Sequence, residues 1–140
     1  MEMFAYCLPE DSEAIHQEFL SIEKEIASEL GIPFRVIQQC PGDLGAIAAK
    51  KYDLEAWLPS RNDFGEITST SNCTDYQSRN LNIRYKKSEG KNEYVHTLNG
   101  TAIVMSRFPL AIIENYQQKD GSIKVPEVLR EYMGKEFIGK

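Results

Sequence analysis

The stretch "HTLNGTAIVMSRFPLAIIENYQQ", residues 96–118, decides the fold because a strand pattern passes directly into a helix pattern. The helix is predicted just after Arg107, with Pro109 in its first turn, where a backbone N–H is not needed. Asn99, Thr101 and Arg107 interrupt what otherwise has the composition of a protein core. An amide, a hydroxyl and a guanidinium at one strand-to-helix connection indicate a ligand that carries a small polar group and phosphates.

The composition is typical of a globular domain. The 140 residues are 41% hydrophobic and 26% charged, and the net charge of -5 argues against a general nucleic-acid-coating role. No apolar run approaches the ~20 residues of a membrane span, and no signal-peptide pattern is present. The three cysteines, an odd number without CxxC spacing, favour reduced thiols of an intracellular protein over a disulfide framework or a zinc site.

The segments around this stretch alternate between strand and helix patterns. Strands are predicted at residues 2–8, 34–40, 52–58, 64–72, 81–85 and 94–102. Helices are predicted at residues 9–31, at the start of 73–87, at 108–118 and at 125–134, with a loop at 88–93. Because βαβ regularity and internal repeats are absent from the sequence, the pattern favours an α+β domain built on an antiparallel β-sheet.

The longest predicted helix has a regular apolar stripe. Its members, at spacings of four, three, four and four, are Ile15, Phe19, Ile22, Ile26 and Leu30. His16 falls on the polar side of this helix, so we expect it to be solvated. His96 lies in a predicted strand and is expected to be a structural histidine with a hydrogen-bond partner.

A second group of polar residues occurs in "GEITSTSN", residues 65–72. Side chains alternate along a strand, so Glu66 and Ser69 converge only if the strand twists or bulges. Oxygen ligands of this kind suit Mg²⁺ shared with phosphates. The alternative is a solvent-facing, Ser/Thr-rich strand, which the pattern alone favours.

Arg107 lies near the start of the predicted helix 108–118. A helix start binds anions through free N–H groups and a positive dipole end, and arginine adds bidentate phosphate binding. The alternative is an ion pair with one of the many acids.

The sequence contains no Ser/His/Asp set, metal-spaced cluster or Walker-type loop, and Glu2 alone is no more than an edge-strand charge.

Together these pieces resemble the C-terminal part of the catalytic domain of seryl-tRNA synthetase, a class II aminoacyl-tRNA synthetase. The matching stretches occur in the family's order without large gaps and cover essentially residues 2–138. They are "PEDSEA", "CPGDLGAIAAKKYDLEAWLP", "EITSTSNCTDYQSRNLNIRY", "VHTLNGTA", "AIIENYQQKDGS" and "VPEVLREYMG". The resemblance implies an antiparallel sheet flanked by helices, and a reaction in which serine and ATP give seryl-adenylate before transfer to tRNA(Ser).

The resemblance also implies roles for individual residues. It places the Glu2 carboxylate on the ammonium group of serine, and Asn99 and Thr101 in the pocket for the serine hydroxyl. Glu66 and Ser69 fall on positions that bind ATP-bound Mg²⁺, with Glu66 also near the serine substrate. The guanidinium at the start of the helix, on Arg107, then contacts the ATP γ-phosphate, and the catalytic pair is Arg107 with Glu66.

Two departures from the family pattern lie beside these residues, because Ala102 and Ser106 stand where many members have glycine and are expected to narrow the ATP pocket. The family's first motif, which builds the homodimer interface, most of its second motif and its tRNA-binding arm have no counterpart in residues 1–140. The resemblance therefore implies a portion of a cytoplasmic enzyme, an organellar one being also open, that is inactive alone. The alternative is a non-catalytic relative that acts as a binding or interaction module; retention of the charged pocket residues weighs against it.

Overall fold

The computed structural model describes residues 1–87 and 90–139. The strands are β1 (Glu2–Cys7), β2 (Phe34–Gln38), β3 (Lys50–Leu58), β4 (Asp63–Asn72), β5 (Arg84–Lys86), β6 (Asn92–Tyr94), β7 (His96–Thr101), β8 (Ile123–Lys124) and β9 (Phe137–Ile138). The helices are α1 (Ser12–Glu29), α2 (Tyr76–Leu81), α3 (Arg107–Tyr116) and α4 (Arg130–Met133), with 3-10 turns at Pro9–Asp11, Pro41–Asp43 and Glu127–Leu129.

A five-stranded sheet in the order β1-β7-β4-β3-β2 forms the centre of the molecule, and each of its neighbouring strand pairs is antiparallel. Helix α1 packs on β4 and β7, and α3 packs mainly on β3. The apolar core lies between these helices and the sheet, and consists of Ala27, Leu30, Ile32, Leu54, Ala56, Leu58, Ile67, Phe108 and Ala111. The predicted α+β class, an antiparallel sheet flanked by helices, is confirmed.

The predicted elements agree with the structure except between β4 and β7 and at the two-residue strands β8 and β9, which the sequence did not predict. Leu81 ends a helix instead of starting a strand, because Asn82 adopts a left-handed conformation that stops α2. The strand predicted at 94–102 is divided at Val95, where the chain passes from the β5–β6 ribbon into the main sheet. In the loop predicted at 88–93, residues 88 and 89 lie outside the described residues, and residues 92 and 93 belong to β6.

The face of α1 that meets the sheet is more polar than its apolar stripe predicted, and the expectation for His16 is wrong. The buried residues of the helix are Ser12, His16, Phe19, Leu20, Glu23 and Ala27. His16 is fully buried, and its Nε2 donates to the Thr70 carbonyl oxygen at 3.1 Å, since a carbonyl can only accept. Burial lowers the pKa of the ring because it penalises the charged form. Compared with the predicted stripe, the helix is rotated so that His16 and Glu23 are buried against β4, which presents Thr68 and Thr70.

Glu23 belongs to the same polar layer. Its side chain is fully buried, and among the described residues neither carboxyl oxygen has a hydrogen-bond partner. Burial, followed by the charges of Glu2 and Asp53, raises the pKa of this carboxyl from 4.5 to about 8, while the nearby Thr68 hydroxyl acts in the opposite direction. Glu23 is therefore a neutral acid in the folded protein at pH 7.

Gly100 of β7 lies directly above this layer. A Cβ at this position would lie 2.9 Å from Oγ1 of Thr70, 3.1 Å from its Cβ and 3.2 Å from Oε1 of Glu23. Thr70 is fully buried and cannot move into solvent. Glycine is thus required here for close approach of the strand to the layer beneath it.

We expect Gly100→Ala to destabilise the protein by about 1–3 kcal/mol, because the added methyl overpacks a buried site. Urea unfolding followed by circular dichroism measures the change. The matched control is Gly42→Ala, since among the described residues nothing lies within 4 Å of a Cβ at that position. Equal unfolding midpoints for the two variants would contradict the close approach.

Glu23 also predicts a pH dependence of stability. Between pH 4.5 and about 8 the folded carboxyl retains a proton that the unfolded chain has lost. The group therefore makes the free energy of unfolding fall as pH rises through this window, by up to roughly 1.4 kcal/mol per pH unit. The lowered pKa of His16 acts in the opposite sense, since a neutral buried ring favours the folded state as pH rises.

Glu23→Gln separates these contributions, because the amide keeps the size of the side chain and cannot ionise. We expect the variant to lose the downward slope that Glu23 gives the wild type, while the contribution of His16 is common to both proteins. Urea midpoints at several values between pH 5 and pH 8 measure the slopes. Parallel curves for the two proteins would show that Glu23 titrates normally.

Candidate active site

A β-bulge decides which side chains of β4 face the same way. Thr68 is opposite Leu54, but Glu66 is opposite the next residue of β3, Glu55, so Ile67 is the extra residue between them. Ile67 is 2% exposed and packs in the apolar core. The sequence analysis required a twist or a bulge in β4 for Glu66 and Ser69 to converge, and the structure has a bulge there.

Because of the bulge, Glu66 and Ser69 lie on the same face of the sheet, opposite α1. Ser69 is opposite Asp53 and Glu66 is opposite Glu55, and these two residues of β3 share that face by alternation. Two oxygen donors three positions apart can thus reach one ligand.

Arg107 joins this face from the helix side. It is the first residue of α3, and its Nη1 donates to Oε1 of Glu66 at 2.9 Å. The guanidinium side chain is 47% exposed and that of Glu66 is 38% exposed. The sequence left open an ion pair with one of the acids, and the acid that pairs with Arg107 is itself a predicted site residue.

Glu2 and Thr101 meet through the pairing of β1 with β7. They are directly opposite in the register, and Oγ1 of Thr101 donates to Oε2 of Glu2 at 2.7 Å. Asn99 lies two residues earlier on β7 and therefore shares this face. Its Nδ2 contacts Sγ of Cys73 at 3.7 Å, and its backbone is opposite Ser71 of β4.

One sheet face therefore carries the side chains that the sequence singled out. The six residues are Glu2, Glu66, Ser69, Asn99, Thr101 and Arg107. Carboxylates, hydroxyls and an amide come from three neighbouring strands, and the cation comes from a helix start. Such a set can bind an ammonium group and a hydroxyl at the β1–β7 end, and phosphates at the β4–α3 end.

Sequence reasoning missed Asp53. This carboxyl is 4% exposed and lies opposite Ser69, with Nζ of Lys51 at 3.2 Å from Oδ1 and Nε2 of Gln39 donating to Oδ2. Asp53 thus holds the side chains of Lys51, in β3, and Gln39, just after β2, in place beside the candidate site. The signal was an acid in the middle of the otherwise alternating strand "KKYDLEAWL", residues 50–58.

The two glycine replacements are tolerated by the backbone. Neither Ala102 nor Ser106 is among the residues with positive φ, and Ser106 precedes α3 with φ of −94°. Ala102 is buried, and its N–H donates to the Met1 carbonyl oxygen at 3.0 Å. A left-handed conformation is thus not required at either position, and the narrowing of an ATP pocket stays a prediction.

A groove of about 570 Å³ lies away from this face, between the end of α1 and α3. Its lining is apolar except for Glu29 and the hydroxyl of Tyr132. It offers no cation for a phosphate, so the polar sheet face is the better candidate site.

None of the helices in the described part of the chain is long and apolar enough to cross a membrane.

Curated relatives of this chain are serine–tRNA ligases. The protein named Serine--tRNA ligase of Treponema denticola is 62% identical over 99% of this chain and 33% of its own length. That of Dictyoglomus thermophilum is 60% identical over 95% of this chain and 31% of its own length. The chain thus spans about a third of the length of the curated relatives it matches.

Two solved structures have the same fold. Seryl-tRNA synthetase from Pyrococcus horikoshii, complexed with ATP, superposes with a TM-score of 0.94 at 49% identity, covering 98% of this chain and 31% of that one. The cytoplasmic Serine-tRNA ligase from Naegleria fowleri, in complex with AMP, gives 0.90 at 42% identity, covering 98% and 33%. Residues 1–116 also match the model of the tRNA synthetase class II core domain (G, H, P, S and T). The chain therefore belongs to the class II tRNA synthetase core family, and its relatives at 52–62% identity are serine–tRNA ligases.

Proposed function

We propose that this chain forms part of the serine-activating site of a serine–tRNA ligase. In that reaction a carboxylate oxygen of serine attacks the α-phosphorus of ATP, pyrophosphate leaves, and the seryl group of the adenylate then passes to tRNA(Ser). The observation that carries the proposal is the shared sheet face, on which the Glu2–Thr101 pair and the Glu66–Arg107 pair lie with Asn99 and Ser69. The reaction needs no protein nucleophile, because orientation and charge neutralisation lower the barrier.

The β1–β7 end of the face is proposed to bind serine. The Glu2 carboxylate is suited to an ammonium group, and the Thr101 hydroxyl that donates to it holds it in one orientation. Thr101 and Asn99 offer hydrogen-bond partners to the serine hydroxyl. Alanine would leave these polar groups unpaired, which makes a site of this kind selective against the smaller amino acid.

The β4–α3 end is proposed to bind ATP. Arg107 begins the ten-residue helix α3, so its guanidinium and the positive end of the helix dipole act on the same phosphate group. Glu66 and Ser69 would hold Mg²⁺, which keeps few protein ligands and takes the rest from phosphates and water. The bound ion supplies charge neutralisation to the phosphates. Two oxygens from adjoining positions on one face fit that ion; among the described residues, no set of three His, Cys, Asp or Glu forms a dedicated metal site.

The nucleotides in the two solved relatives support ATP as the cofactor, since one is described with ATP and the other with AMP. The description of the Naegleria fowleri protein as cytoplasmic supports a cytoplasmic enzyme. Binding of tRNA(Ser) and formation of a homodimer belong to the whole enzyme in this proposal.

Thr101→Val tests the serine half of the proposal. Titration calorimetry of the chain with seryl-sulfamoyl-adenosine, a non-hydrolysable adenylate mimic, should show an affinity loss of about tenfold, because one hydrogen bond to a charged group or hydroxyl contributes roughly 1–2 kcal/mol. Thr101→Ser, which keeps the hydroxyl, serves as the control, and affinity for the alanyl mimic should fall less. A chain that binds seryl and alanyl mimics equally well contradicts the proposed pocket.

A second experiment concerns catalysis by the chain itself. Charge changes most at the α-phosphate during adenylation, and the resemblance assigns that contact to a second-motif arginine outside this sequence. We expect no measurable pyrophosphate exchange with serine and ATP, since loss of such a contact costs on the order of several kcal/mol. A complete serine–tRNA ligase assayed in parallel is the reference, and turnover by the chain near that reference would refute the expectation.

A further inference from the structure

The strand segment that presents Asn99 and Thr101 is held from below by two threonine hydroxyls. Oγ1 of Thr70 donates to the Asn99 carbonyl oxygen at 3.0 Å, and Oγ1 of Thr68 donates to the Thr101 carbonyl oxygen. The β4–β7 register ends where Thr70 is opposite Gly100. At Thr101 a side-chain hydroxyl therefore takes the place of a backbone partner from β4.

Glu23 lies against the same segment. Its Oε1 is close enough to Gly100 that a Cβ there would be 3.2 Å away, and its side chain is fully buried. Among the described residues this buried carboxyl has no hydrogen-bond partner, and burying such a group lowers the free energy of unfolding. A carboxyl at this position therefore requires an explanation. The Thr68 hydroxyl is the neighbouring polar group that influences it.

The protonation state of Glu23 decides what it can do to Thr68. A neutral carboxyl has one O–H donor, which can be directed at Oγ1 of Thr68 and leaves the Thr68 hydrogen for the Thr101 carbonyl. An ionised carboxyl can only accept, so it competes with that carbonyl for the same hydrogen. The pKa of about 8, raised first by burial, keeps the neutral form at pH 7.

We propose that Glu23 is a positioning residue of the serine half of the site, acting as a neutral acid that keeps Thr68 on the Thr101 carbonyl and thereby fixes Asn99 and Thr101. The link to serine rests on the proposed function. The link to the strand rests on the contacts of Glu23, Thr68 and Gly100 alone.

Other groups that could titrate near Glu23 can be distinguished from it. Glu2 of β1 and Asp53 of β3 lie on the opposite face of the sheet and act on Glu23 through their charges, while β4 presents Thr68 and Thr70 to it. On α1 itself His16 lies two turns earlier, and burial lowers its pKa below 6.5. His96 of β7 faces the first turn of α1, where its Nδ1 contacts the Ser12 hydroxyl at 3.0 Å.

Cys73 also needs to be considered because it contacts the Asn99 side chain. Burial raises the pKa of this thiol above 9.0. The N-terminal ammonium group of Met1 is a further titratable group beside this segment, since it donates to the Ile103 carbonyl oxygen at 2.7 Å. Because Glu23→Gln leaves Met1 unchanged, only a transition near pH 8 that disappears in this variant is assigned to Glu23.

The test is an NMR titration of the ¹⁵N-labelled chain from pH 6 to pH 9.5. We expect the backbone amides of Gly100, Thr101 and Ala102 to shift with a midpoint near 8 in the wild type and to show no such transition in Glu23→Gln. The matched control is Glu25→Gln, an exposed position on the same helix, which should leave the transition unchanged. Absence of the transition in the wild type overturns the inference.

A second variant keeps the test decisive if Glu23→Gln does not fold. In Thr68→Val the carboxyl is retained and the hydroxyl is lost, so the Glu23 side chain should still titrate while the Thr101 and Ala102 amides cease to follow it. Amides that follow Glu23 equally well without the hydroxyl would overturn the role given to Thr68.

A ligand experiment separates this inference from the proposed function. Affinity for seryl-sulfamoyl-adenosine should fall between pH 7 and pH 9 on the order of tenfold further in the wild type than in Glu23→Gln, because the titration of the mimic's own α-amino group is common to both proteins. Equal pH dependence in both proteins overturns the role of Glu23 in serine binding. An amide transition without binding at any pH overturns the proposed function and supports the positioning of the strand by Glu23.

Discussion

The bulge at Ile67 is the constraint on which the candidate site depends. By adding one residue to β4 it sends Ile67 into the core and turns Glu66 to the face that carries Ser69. It also lies where the β4–β7 register has already ended, so that the Thr68 hydroxyl, and not a backbone group, supports Thr101. One irregular position thus affects both the proposed ATP half and the proposed serine half of the candidate site, consistent with the tendency of bulges to re-aim side chains beside active sites.

The layer beneath the sheet shows a division between stability and function. Near β3 the contact with α3 is apolar, as a stable core requires. Near β7 the contact with α1 includes His16, Glu23 and two threonines of β4, and the side-chain atoms of His16 and Glu23 that have no hydrogen-bond partner among the described residues reduce the gain from burial. Leucine or alanine at these positions would pack without that penalty. Polar groups retained directly under Asn99 and Thr101 are the kind of local conflict that marks a functional site.

Local signals in the sequence were sufficient to predict most helices and strands and the position of Arg107 at the start of a helix. The start of α3 follows from Pro109, and the strand β4 from its run of β-forming residues. Burial of His16 could not be predicted, because it depends on which strand lies beneath α1 and on the threonines that this strand presents. The side of the sheet on which Glu66 lies depends likewise on a register shift against β3. Both are consequences of pairing between distant segments, which periodicity within one segment does not contain.

The two side-chain pairs of the candidate site, Glu66–Arg107 and Glu2–Thr101, differ in exposure and rigidity in a way that suits the ligands proposed for them. The Glu66–Arg107 pair is substantially exposed on both sides, and exposed pairs contribute only about 0–1 kcal/mol to stability. In the proposed ATP site, phosphates and a cation would replace this pair at little cost, since Arg107 and Glu66 would each gain a stronger partner. The Glu2–Thr101 bond joins two residues already fixed by strand pairing, so the serine proposed to bind there would meet a carboxylate that needs no rearrangement. The proposed nucleotide half would thus be free to adapt, while the proposed serine half, which would have to distinguish a hydroxyl from a hydrogen, would be rigid, as selectivity requires.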